Sequence, residues 1–144
     1  MIVVDASVIV KCYVPEDGSE KAIKLISGLD KLVAPELIQV EVAAAFCGKT
    51  RDGEVKMHPD DAAACCDKWR KHMEAEVIAT VPNEKLLAVA ERLALNLKHP
   101  LQDCIYLALA KIEKTVLVTA DTKFITKAGK LHPELRSLYE FPGL

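Results

Sequence analysis

The chain has 144 residues, 51% hydrophobic and 28% charged, with a formal net charge of −2 at pH 7. That length suits one core, and the apolar content is enough to bury about 68–70% of the unfolded surface, so residues 1–144 are expected to form a single domain and a disordered chain is excluded. The charge balance excludes a globally cationic binder of nucleic acid or membrane, so any polyanion has to be held locally.

In chain order, residues 2–5 (IVVD) read as a short strand, β-branched and apolar. "PEDGS" at 15–19 is a turn, and 31–34 (KLVA) a second strand. Residues 36–49 have helical spacing, with Leu37, Ile38, Val42 and Ala45 on one stripe. "RDGE" at 51–54 is a turn. "HPDD" at 58–61 starts another helix, with Pro59 near its first position and acids facing its dipole. Within that helix "KWRKH" at 68–72 reads as a solvated basic face with Trp69 buried, in preference to a clamp that stacks single-stranded nucleic acid.

Residues 77–81 (VIATV) are a third strand. The clearest helix is 83–98, where Leu86, Leu87, Ala90, Leu93, Ala94 and Leu97 share a face. "KHP" makes a turn, and "LQDCIYLALA" is apolar on nearly all sides, as in a helix buried within the domain. Residues 115–119 (TVLVT) and 137–141 (SLYEF) complete a set of four to five strands. Apolar strands alternating with amphipathic helices predict a three-layer α/β/α sandwich around a mainly parallel sheet, joined by right-handed crossovers.

Asp5, Lys11, Glu41 and Asp103 interrupt the apolar stretches well below the ~20 residues of a membrane-spanning helix. The start of the chain lacks a basic segment and does not read as a secretory signal, so a cytoplasmic protein without membrane contact is expected. The five cysteines (Cys12, Cys47, Cys65, Cys66, Cys104) form no C-x-x-C pair and read as reduced core residues. His58, His72, His99 and His132 are scattered and read as surface residues.

The acids raise the functional question. Asp5 ends the first strand and Asp121 follows "TVLVT" in the same way; the carboxyl edge of an open α/β sheet is where ligands bind. If those strands are neighbours across the switch point, the two carboxylates face one crevice. Each also reads as an N-cap of the helix that follows. Glu41 falls within the apolar stripe of 36–49, where an unpaired carboxylate stays protonated or meets a positive charge, unless it reaches solvent at the stripe's edge. Asp103 sits in the buried helix, where the N-terminal dipole is its simplest partner. One cause for four such acids is a hard divalent cation, Mg²⁺ with Mn²⁺ as substitute; the absence of clustered His and Cys argues against structural zinc.

The ordered set "VVDASV", "PELIQVEVAAAF", "HPLQDCIYLALA" and "VLVTADTKF" resembles the PIN-domain proteins, and by size and layout the VapC toxin ribonucleases. The resemblance implies a Mg²⁺-dependent endoribonuclease, the toxin of a toxin-antitoxin pair, with Asp5, Glu41, Asp103 and Asp121 as metal-binding catalytic acids. Ser7 and Thr119 would support them by hydrogen bonds. It further implies an RNA substrate, a cognate antitoxin and a homodimer. Ala6 stands where the family often has Thr, and Ala45 where many relatives have a polar residue. Lys49 and Arg51, just after the acidic helix, are candidates to hold flanking phosphates.

Other classes fare worse on the residues. A haloacid-dehalogenase-like phosphatase needs a second Asp where Ser7 stands, a receiver domain needs an adjacent acidic pair, and no Gly-rich nucleotide loop occurs. An RNA-processing nuclease outside a toxin-antitoxin system, and a PIN-like docking module whose acids need no metal, remain as alternatives.

Overall fold

The computed structural model describes residues 1–51, 53 and 56–144. Five short strands, β1 (Ile2–Val4), β2 (Leu32–Pro35), β3 (Ala79–Val81), β4 (Leu117–Thr119) and β5 (Leu135–Ser137), pair in the order β3-β2-β1-β4-β5, every pair parallel. The helices are α1 (Ala6–Tyr13), α2 (Ser19–Ile26), α3 (Ile38–Gly48), α4 (Pro59–Glu74), α5 (Leu87–Leu97), α6 (Leu101–Ile112) and α7 (Thr122–Ala128). The result is the expected three-layer α/β/α sandwich, with its sheet parallel throughout.

Every residue of β1, β2 and β4 is buried, as a sheet covered on both faces requires. Each buried Val, Leu or Ile side chain contributes about 1.5–3 kcal/mol by leaving water. α6 packs against β1, β2 and β4, and its residues Cys104 to Ala110 are all buried, which is why its sequence is apolar all round. On α3 the stripe faces inward as expected: Ile38, Val42 and Phe46 are fully buried. Trp69 of α4 is buried against it, its indole N–H donating to the Gln39 carbonyl at 3.1 Å, while Arg70 is exposed. The basic-face reading of "KWRKH" therefore holds.

Four expectations need correction. The last strand lies at 135–137, and Leu138–Glu140 of "SLYEF" forms a 3-10 turn that buries Leu138. Residues Asn83–Lys85 likewise form a 3-10 turn ahead of α5. Of the histidines only His58 is exposed: His72 bonds the Tyr13 hydroxyl through Nδ1, the Nδ1 of His132 is buried, and His99 is half-buried. All five cysteines are free thiols, but Cys47 is exposed on α3 and not a core residue. The "RDGE" turn includes Asp52 and Glu54, which lie outside the described residues.

α6 ends in two reciprocal bonds, Thr115 N–H to the Ala110 carbonyl at 2.9 Å and Lys114 N–H to the Lys111 carbonyl at 3.2 Å, with Lys114 left-handed at φ 53°. This C-terminal turn favours glycine at its left-handed position, where a Cβ is unfavourable. Replacing the exposed Lys114 by Gly should raise the unfolding free energy by about 0.5–1 kcal/mol, measured by urea denaturation.

Candidate active site

In an all-parallel sheet the helices that follow β1, β2 and β4 begin at the carboxyl edge, and α6, which feeds β4, must begin there too. The four acids occupy those starts. Asp5 and Asp121 are the residues before α1 and α7, while Glu41 and Asp103 lie in the first turns of α3 and α6. β1 and β4 are neighbours, so the switch point falls between Asp5 and Asp121.

The two cap positions differ in kind. Asp121 is a true N-cap: its Oδ1 accepts the backbone N–H groups of Lys123 at 3.0 Å and Phe124 at 3.1 Å. Asp5 makes no capping hydrogen bond with its side chain. Its Oδ2 instead accepts the hydroxyls of Ser7 and of Thr119, the latter at 2.8 Å from the end of β4. Ser7 and Thr119 are joined further: Ser7 Oγ accepts the Ala120 N–H and Thr119 Oγ1 the Asp121 N–H, both at 3.0 Å. The two hydroxyls therefore tie the start of α1 to the end of β4 under the carboxylate.

Glu41 is half-buried, and its Oε1 accepts the Tyr106 hydroxyl at 2.7 Å. Asp103 Oδ2 is 2.6 Å from His99 Nε2. Thus Asp5, Glu41 and Asp103 each have one oxygen held by a side chain that donates a hydrogen bond. The lysine and arginine ion pairs among the described residues all lie elsewhere: Lys11 and Lys49 on Glu16, Arg70 on Asp67, Lys111 on Glu134.

The carboxylates feel one another. Burial pushes the Asp5 carboxyl above its ordinary range; the Ser7 and Thr119 hydroxyls oppose this, the charge of Asp103 adds to it, and the nearby Ser7 N–H favours the charged form without capping geometry. Glu41 is raised for the same first reason, with the Tyr106 bond opposing and the charges of Asp5 and Asp103 adding. Tyr106 is raised in turn by its own burial and by both acids, so it stays protonated and remains a donor. The structure thus brings Asp5, Glu41 and Asp103 into electrostatic contact and links Asp121 to them through Thr119. Among the described residues, no three His, Cys, Asp or Glu side chains stand close enough to ligate one ion as placed.

A profile of the PIN domain family, described as "PIN domain", matches residues 2–130. The chain belongs to the PIN domain family. Among PIN-domain relatives, Ribonuclease VapC3 of Pyrobaculum aerophilum is 30% identical over 128 residues, which cover 88% of this chain and 93% of the relative. The solved structure "Toxin-antitoxin complex from Klebsiella pneumoniae" contains a chain of the same fold, with a TM-score of 0.68 at 16% identity, covering 98% of this chain and 100% of that one. The resemblance read from the motifs is borne out at the level of family and fold.

Two contributors to this PIN-domain site are not evident in the motifs. Tyr106 is the donor to Glu41; the signal was a tyrosine in a helix buried all round, whose hydroxyl needs a partner. His99 is the donor to Asp103; the signal was the i,i+4 spacing across Pro100. The phosphate-binding candidates are placed less favourably. Lys49 is bonded to Glu16 at 3.1 Å and its side chain is only 18% exposed, while Arg51 lies at the surface beyond α3.

A carboxyl whose native pKa lies above its unfolded value binds its proton more tightly when folded. Its contribution to stability is therefore complete at low pH and lost as pH rises from the unfolded value, near 4, through the raised native one. In chelator-treated buffer, Asp5→Asn should accordingly be more stable than the parent at pH 7, and the gap should close as pH falls toward 4. Paired urea titrations across that range check it, and the difference cancels His132, whose lowered pKa acts near its ordinary 6.5 in both proteins.

Proposed function

We propose that the chain is a divalent-metal-dependent endoribonuclease, hydrolysing RNA phosphodiester bonds with Mg²⁺ or, in its place, Mn²⁺. The observation that carries this reading is the pair of desolvated carboxylates Asp5 and Glu41 beside the charge of Asp103, each of the three held by a hydrogen-bond donor and none paired with a lysine or arginine among the described residues. Such a set is costly as it stands, and a hard cation offsets the cost with oxygen ligands alone. Kinship with a protein named a ribonuclease supports the same reading.

In this proposal Asp5, Glu41 and Asp103 hold the ion, and Asp121 contributes from the rim through Oδ2, its Oδ1 being committed to the cap of α7. A bound divalent ion supplies an acidified water and neutralises charge that builds on the phosphate. The residues supply order: Ser7 and Thr119 fix the Asp5 carboxylate, Tyr106 fixes Glu41, and burial keeps bulk water from screening the site. Lys49 and Arg51 hold flanking phosphates once Lys49 leaves Glu16. Low aromatic content, 5%, favours recognition through RNA shape and phosphate geometry over base stacking.

The chain is further proposed to act as the toxin of a toxin-antitoxin pair, as a single domain over 1–144, a homodimer, in the cytoplasm. The shared fold with a chain of a toxin-antitoxin complex supports the pairing with an antitoxin, and among the described residues no helix is long and apolar enough to cross a membrane. An arginine from the antitoxin, paired through both its N–H donors, is a suitable stopper for an acidic pocket.

Asp5→Asn keeps shape and acceptor but removes the charge that holds the ion. Incubated with a mixed RNA pool, the parent should cleave in Mg²⁺ and not in chelator, and the variant should be slower by more than about a hundredfold while melting normally. A folded variant that cleaves as fast as the parent contradicts the proposal.

A further inference from the structure

We infer that His99 is a positioning residue for Asp103, fixing through Nε2–H the carboxylate that α6 contributes to the site; this rests on the proposed role of Asp103 in holding a divalent cation. The ring is immobilised from three sides. Lys98, at the end of α5, is left-handed (φ 52°, ψ 49°) and Pro100 precedes the first residue of α6, so the backbone around His99 has little freedom. The imidazole stacks on the Phe124 ring, centroids 4.5 Å apart and planes 10° apart, and its side chain is only 9% exposed. Phe124 is itself 2% exposed.

The direction of the hydrogen bond follows from the partner. A carboxylate only accepts, so the proton lies on Nε2 and is donated to Asp103 Oδ2. That bond uses one oxygen of Asp103 and leaves Oδ1 for the crevice it shares with Asp5 and Glu41. Histidine also suits the place better than a lysine, because a flexible ammonium would compete with the cation for the same carboxylate. The arrangement extends further: Phe124, on which the ring rests, donates its backbone N–H to Asp121 Oδ1. His99 thereby joins the acid of α6 to the helix that Asp121 caps. Partners that orient a ligating side chain in this way typically govern metal affinity by 10–100-fold.

Two variants of the full chain separate the hydrogen bond from the packing. His99→Phe keeps a ring against Phe124 and removes the donor; His99→Gln keeps an amide donor of similar reach. Mn²⁺ affinity is measured by calorimetry, with melting curves in chelator as the measure of structure. The expected result is a 10–100-fold weaker Mn²⁺ affinity for His99→Phe, near-parental affinity for His99→Gln, and little change in melting for either. Parental affinity in a folded His99→Phe overturns the inference while leaving the metal reading intact, and an equal loss in both variants assigns the effect to packing and overturns it as well. A parent chain that takes up no Mn²⁺ at millimolar concentration removes the metal reading itself. Should His99→Phe not fold, ¹⁵N NMR of the parent decides: a His99 ring with its proton on Nε2 is required, and one carrying it on Nδ1 alone overturns the inference.

Discussion

The structure turns on a cluster of carboxylates placed where water is scarce. Burial raises Asp5 and Glu41, and the charge of Asp103 raises both further, so the cluster opposes folding at neutral pH. What makes it tolerable is a layer of hydrogen-bond donors beneath it. Ser7 and Thr119 serve Asp5, Tyr106 serves Glu41 and His99 serves Asp103, each bond offsetting part of the lost hydration without neutralising the charge. A lysine in any of those places would have neutralised the carboxylate it met, whereas these donors leave the charge in place.

Topology explains why acids from such distant parts of the chain meet. A parallel sheet sends helices away from its carboxyl edge, and helix starts carry free N–H groups and the positive end of the dipole. An acid at any of these starts is partly favoured, and four starts converge around β1 and β4. α6, buried from Cys104 to Ala110, packs against β1, β2 and β4. Its first turn presents Asp103, and Tyr106, one turn on, reaches across to Glu41 on α3.

The layered fold was legible because its strands are β-branched runs too short and too apolar to be anything else. The fifth strand was not: Leu138 and Tyr139 look like strand residues, yet parallel pairing with β4 selects 135–137, and Leu138 enters the core from a 3-10 turn. The positions of the four acids were also legible, as charges in apolar contexts. Their distinct roles were not. Asp5 and Asp121 look alike before a helix, and only the tertiary approach of Ser7 and Thr119 makes one a held carboxylate and the other a cap. A scattered histidine such as His99 reads as a surface residue; its burial depends on Phe124, twenty-five positions further on, which local pattern does not register.

The proposal is at root spatial: one divalent ion would draw together Asp5, Glu41 and Asp103 at the carboxyl edge of β1. Anomalous diffraction from crystals of the chain soaked in Mn²⁺ tests it directly. The account predicts an anomalous peak about 2.1 Å from oxygens of those three side chains, close to the spacing a hard divalent ion requires. Saturating Mn²⁺ that leaves no peak there, or that settles only at acids elsewhere on the surface, would contradict it.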